Sequence, residues 1–194
     1  MSQKQPPDLR MTVFAALFTA LIVIGGYLSF PIPLSPVPIV LSDFFVMLAG
    51  LFLGAAWGAA SVGLLLFLGA LGLPVFAGGN AGLGHFLSPG GGYLIGFLVA
   101  VYVIGLIAGQ RKPSLIKDIL ALIAGNIIIY LIGVPWLKMV LKCAWDKAIV
   151  FGLLPFIIGI ILKIIIGVSI IQIFRPLLKQ TIPALAQHPD QPGN

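Results

Sequence analysis

Residues 155–174 form an apolar run that contains a single charge, Lys163. At about 1.5 Å per residue such a run crosses a hydrocarbon core of about 30 Å. An ammonium at mid-bilayer costs roughly 2.5–3.5 kcal/mol on insertion scales. It survives where it faces protein or a wet cavity and meets an anion. No Asp or Glu lies near Lys163 in its own run. Its partner is therefore a carboxylate on another span or on a ligand, unless backbone carbonyls alone hold it. Lys163 lies eight residues past Pro155, so about 12 Å into the membrane.

The rest of the chain repeats the theme. Of 194 residues, 60% are hydrophobic and only 8% charged, and all five acids are Asp. A soluble enzyme surface cannot be built from that inventory, so this is an integral membrane protein. The net charge of +6 does not imply nucleic acid, because most of the basic residues flank apolar runs and set topology. One cysteine, Cys143, excludes an intrachain disulfide. The first apolar run lacks a small-residue cleavage site and is followed by further spans, which argues against a signal peptide.

Six spans are expected, giving an all-α membrane domain over 11–175 with polar tails at 1–10 and 176–194. They run from Met11 to Ser29, Leu41 to Ala56, Gly58 to Leu73, Tyr93 to Ala108, Ile116 to Val134, and Pro155 to Arg175. Trp57-Gly58 is a weak turn signal between the second and third. One tilted helix is the alternative there, but 33 apolar residues are too long for a single crossing. Four prolines in 31–38 forbid a helix and predict an extended segment. Residues 135–154 read as a loop or amphipathic piece. An even number of spans puts both termini on one side. Placing that side in the cytoplasm leaves seven basic residues inside (Lys4, Arg10, Arg111, Lys112, Lys117, Arg175, Lys179) against three outside (Lys138, Lys142, Lys147), as the positive-inside rule favours.

The Gly-rich stretch 74–92 then lies outside. Irregular backbone at a membrane boundary needs protein or a wet cavity around it. Its glycines let main-chain N–H groups approach a ligand, and Asn80 adds donors and an acceptor; the alternative is a flexible turn. His85 and Ser88 are i, i+3 neighbours in one loop, which is not a protease constellation. One His here and scattered Asp and Cys lack metal-ligand spacing. No Walker sequence is present. Small residues recur at four-residue spacing (Ala16 and Ala20; Gly50, Gly54 and Gly58; Gly105 and Gly109). Such faces serve internal packing, and at least one can serve a partner subunit.

Three blocks together carry a resemblance: VPIVLSDFFVMLAGLFLG (37–54), GLPVFAGGNAGLGHFLSPGGGYLIGF (72–97) and LPFIIGIILK (154–163). They look like BioY, the biotin-binding S-component of energy-coupling-factor vitamin transporters. The resemblance implies six helices with both termini cytoplasmic in a bacterial or archaeal cell membrane. It implies biotin as transported ligand, a transmembrane coupling subunit and two ATPases as partners, no cofactor and no enzymatic activity. Binding would fall to Gly79, Asn80, Gly82, Tyr93 and Lys163, with Phe76, Leu83, Phe86, Tyr93 and Trp136 as apolar wall. Ala16 and Ala20 match the Ala-x-x-x-Ala face that docks the coupling subunit. Two positions depart from the family pattern. Ile160 stands where the last helix usually carries an Asp that contacts ligand and pairs with the lysine, and Leu94 stands where some members place an arginine. Alternative readings are a stand-alone facilitator or channel, an S-component for another small carboxylate vitamin and, disfavoured by the missing acid–base constellation, a membrane enzyme.

Overall fold

The computed structural model describes residues 9–108 and 114–181, with side chains as far as 174. The chain opens with α1 (Leu9–Tyr27), followed by a β-hairpin of β1 (Ser29–Ile32) and β2 (Ser35–Val40). Next come α2 (Ser42–Ala70), a 3₁₀ turn at Ala77–Gly79 and a single turn of helix, α3 (Leu83–Phe86). Then follow α4 (Gly91–Ala108), α5 (Leu115–Leu141), α6 (Trp145–Gly152), a 3₁₀ turn at Leu154–Phe156 and α7 (Ile157–Thr181).

Although continuous, α2 is not one rod. Gly54 sits at φ 75° and ψ −174°, outside any helical conformation. A Cβ placed on Gly58 would lie only 3.2 Å from the Ala49 carbonyl oxygen. Nine residues of straight helix would separate those positions by about 13.5 Å. The chain therefore reverses at Gly54, and 42–53 and 55–70 are two antiparallel limbs. Two crossings are expected here from the sequence, but with the break at Trp57-Gly58. The break falls at Gly54 because only glycine takes that left-handed φ without strain. Six crossing segments result: α1, the two limbs of α2, α4, α5 and α7.

The hydrogen bonds sort these segments by end. Leu41 N–H donates to Gly25 O at 3.0 Å, and Gly82 N–H donates to Gly69 O at 2.7 Å. The hydroxyl of Tyr93 donates to Gly152 O at 2.8 Å. The hairpin, the Gly-rich segment, the start of α4 and α6 thus gather at one end. The start of α1 and the end of α7 lie at the other, so the described termini share a side.

The extended segment at 31–38 is present, and it is also paired, with Ser29 opposite Val40 and Ile32 opposite Ser35. Pro36 and Pro38 fall on the same backbone edge of β2, where a missing N–H costs a two-stranded sheet little. Two boundaries differ from the sequence reading. Helix α5 continues through Pro135 to Leu141, and α7 continues through Pro176 to Thr181. Proline removes its own N–H and crowds the preceding turn, which weakens or bends a helix without necessarily ending it. The expected breaks near 134 and 175 are corrected accordingly. The basic residues Arg111 and Lys112 and most of the predicted tails lie outside the described residues.

Small residues bring the helices together. A Cβ on Gly105 would collide with the Ala55 nitrogen, so α4 packs directly on the backbone of the α2 reversal. Gly50 takes the side chain of Ile104, Gly58 that of Val101, and Gly125 again that of Ile104. In lipid, association rests on such close packing rather than on escape from water. Thr19 is buried with its hydroxyl 2.9 Å from both Ala15 O and Ser61 O, tying α1 to the return limb. By contrast α7 is lightly embedded, and Ile158, Ile161, Leu162 and Ile165 are exposed. Against solvent that would be untenable; against lipid it is neutral.

Candidate functional site

Lys163 lies on α7 opposite the start of α2. Its Nζ donates to Asp43 Oδ1 at 2.7 Å, to Asp43 Oδ2 at 2.9 Å and to Val40 O at 2.9 Å. The side chains are 11% and 9% exposed. Of the alternatives open in the sequence, the carboxylate on another span is the one found. The ammonium thus has an anionic partner within the chain itself. Asp43 is the only acid between residues 9 and 117. It sits in the first turn of α2, where a carboxylate complements the helix dipole, and it accepts the Phe44 N–H at 3.0 Å. One cluster thus joins β2, α2 and α7.

Above it lies a cavity of about 290 Å³ at the hairpin end. Pro36, Val37 and Pro38 of β2, Phe76, Asn80, His85 and Ser88 of the Gly-rich segment, and Tyr93, Leu94 and Phe97 of α4 are among its walls. A smaller compartment of about 40 Å³ reaches Asp43, Lys163, Tyr130 and Phe156. The two share Val37, Pro38, Val40, Tyr93 and Phe97, so they adjoin. The combination is an apolar chamber with a few polar groups and a salt bridge at its floor, the usual design of a small-molecule site.

The walls are held by close fits. Phe76 is almost completely buried and fills the space where Gly69 would carry a Cβ. His85 stacks on Phe76 with ring centroids 5.1 Å apart and planes 18° apart. Tyr93 meets Tyr130 edge-on at 5.8 Å. Burial lowers the His85 pKa below its ordinary value, so the ring is neutral at pH 7.

Of the predicted binding residues, Asn80 and Tyr93 line the main cavity and Lys163 the smaller compartment. Gly79 and Gly82 line neither. Their φ values are 79° and 84°, and their N–H groups donate to Phe76 O and Gly69 O. Both N–H groups are thus engaged within the protein. Asn80 Nδ2 donates to Ala77 O at 2.6 Å. Phe76 and Tyr93 form wall as expected; Leu83 is exposed, and Trp136 packs on Gly92 with its indole N–H on Ser88 O at 3.1 Å. Ala16 and Ala20 are both on the exposed face of α1.

Ile160 does not face the ion pair's compartment. It borders a separate groove of about 460 Å³ between α5 and α7, whose walls are apolar except for Asn126 and Tyr130. Sequence reasoning passes over Asp43, although a lone carboxylate entering an apolar run is as informative as a lone lysine in one. It also sets aside His85 and Ser88, which share a cavity wall.

A profile of the BioY family matches residues 1–180. A probable biotin transporter BioY of Pyrococcus horikoshii is 43% identical over 148 residues, covering 76% of this chain and 85% of that one. The biotin transporter BioY of Thermotoga maritima is 40% identical over 162 residues, covering 84% and 94%. A crystal structure of the S-component for biotin from an ECF-type ABC transporter superposes with a TM-score of 0.81 at 33% identity, covering 91% of this chain and 95% of that chain. With the six-crossing fold and that extent of match, the chain belongs to the BioY family.

Proposed function

We propose that this chain is the biotin-binding S-component of an energy-coupling-factor transporter. It takes biotin at the outer face, in the cavity under the hairpin and the Gly-rich segment. The observation that carries this reading is the Asp43–Lys163 pair at the floor of a mostly apolar chamber. The pair offers an anionic acceptor beside a cationic donor. Biotin's ureido offers two N–H donors and one carbonyl acceptor, the complementary set. Its bicycle is apolar and suits Val37, Phe76, Leu94 and Phe97. A second carboxylate at Lys163 would set two anions on one ammonium, so the vitamin's own carboxylate points away, toward the cavity mouth. Asn80 and Tyr93 act as wall, and Gly79 and Gly82 support the loop that carries Asn80.

No Walker sequence is present, so the energy comes from partners: a transmembrane coupling subunit and two ATPases. The exposed Ala16 and Ala20 on α1 suit close approach by a helix of the coupling subunit. The basic residues set both termini in the cytoplasm.

Calorimetric titration of the purified chain with biotin, desthiobiotin and lipoate tests the ligand. Biotin and desthiobiotin, which share the ureido, bind; lipoate, which has the carboxylate but no ureido, binds far more weakly. Equal binding of lipoate would replace biotin by carboxylate recognition in general. Biotin uptake by cells expressing the chain alone, independent of ATP, would make it a stand-alone facilitator.

A further inference from the structure

The cavity wall contains one group with an ordinary pKa near neutrality, His85, that the ion pair does not use. His85 stacks on Phe76, which occupies a ring face, and the nitrogens lie on the ring edge. Neither has a hydrogen-bond partner among the described residues. Ser88 stands one turn further along the same short segment, and both border the main cavity. Lys163 and Asp43 satisfy each other in the adjoining compartment. Leu94 adds only apolar surface to the same cavity.

We infer that His85, with Ser88 beside it, is the recognition point for the carboxylate of the bound vitamin, and that binding takes up a proton on His85. This rests on the reading of biotin as ligand. Three observations combine. A monocarboxylate anion must end near a donor, and the floor of the chamber is already neutral. Imidazole is the only side chain in the upper cavity that can become cationic near neutral pH. Ser88 adds a hydroxyl donor that needs no charge.

The other groups that border the cavity do not compete for the role. From β2 come only prolines and valines, and from α2 Ser42 and Leu65. From α4 comes Tyr93, whose hydroxyl is committed to Gly152 O. Tyr27, beside Gly79, donates to Pro74 O at 2.6 Å. In the empty cavity burial keeps His85 neutral; a carboxylate beside the ring raises its pKa in the complex. Between those two values each bound vitamin brings a proton with it, so affinity rises as pH falls. The gain ends once His85 is protonated in the free protein or the vitamin's carboxylate is itself neutralised.

The test is titration of the full chain at pH 8, 7 and 6 with biotin and with biotinamide, which keeps the ureido and loses the charge. Biotin should tighten with acidification by up to about tenfold per pH unit, and the calorimetric signal should report proton uptake from buffer. Biotinamide should show no slope. His85→Phe keeps the stack on Phe76 and should abolish the slope for biotin, with its largest loss of affinity at pH 6. Flat binding of biotin, an equal slope for biotinamide, or a slope retained by His85→Phe each overturns the inference. The two-ligand comparison on the unaltered chain decides the question even where the variant fails to fold. Absence of biotin binding at every pH would instead overturn the functional reading, and this inference with it.

Discussion

Asp43 and Lys163 are each intolerable alone at this depth and acceptable together. Taking both from water costs several kcal/mol per ion, which mutual attraction offsets only with close geometry and further hydrogen bonds. Here the ammonium meets both carboxylate oxygens and a carbonyl within 2.9 Å. Asp43→Asn or Lys163→Met should therefore destabilise the chain by about 3–5 kcal/mol, read as a fall in thermal midpoint in detergent. Asp43→Leu combined with Lys163→Met should recover most of that loss and still fail to bind biotin. Recovery of binding by the double variant would remove the pair from the site. Ile160→Asp places a carboxylate at i−3 of Lys163, but the side chain there borders the apolar groove between α5 and α7. With Lys163 already paired, the new carboxylate competes for it. Biotin titration should show weaker binding than the unaltered chain; tighter binding would mean the lysine needs a second anion. The lysine's need for an anion is legible in one span; which anion is not, because Asp43 is 120 residues away in sequence and only the fold joins them.

At the scale of elements, the reversal at Gly54 and the packing of Gly105 against it are one device. The φ of 75° with ψ of −174° at Gly54 is a conformation open essentially to glycine and costs any other residue roughly 1–3 kcal/mol, with open space for the side chain itself. Gly54→Ala should thus give a modest loss of thermal stability and an intact fold. Gly105→Leu has no such room, since the Ala55 backbone occupies the position. It should yield aggregated protein on size exclusion, while a monodisperse Gly105→Leu product would contradict the packing. The four-residue spacing of small residues is enough to mark both glycines as packing sites. Glycine spacing does not say which position turns the chain, so Trp57-Gly58 draws attention from Gly54. The prolines mislead in the same way at 135 and 176: a proline weakens a helix locally without necessarily ending it. The hairpin is legible as extended chain from its prolines alone; its pairing depends on the approach of α1 and α2, which local sequence does not encode.

For the whole molecule, an even count of crossings sets both described termini at the end opposite the hairpin. With native Cys143 replaced by serine, a cysteine at exposed position 87 should react with an impermeant maleimide applied to intact cells, and one at exposed position 115 should not. The reverse pattern would invert the topology. Ala16→Leu with Ala20→Leu should abolish biotin uptake through loss of close helix approach and leave biotin titration of the purified chain unchanged. Lost binding would place these alanines in the fold of the site instead. Membrane class, crossing number and family are readable from apolar length, basic flanks and the glycine blocks. The geometry of the site is not, because it is assembled from β2, α2, α4 and α7, whose neighbours in space are remote in sequence. The most direct measurement is a structure of the purified chain with biotin bound. It should show the ureido N–H groups on Asp43, the ureido oxygen on Lys163 and the carboxylate beside His85 and Ser88. Biotin lying in the α5–α7 groove, or its carboxylate on Lys163, would contradict the account.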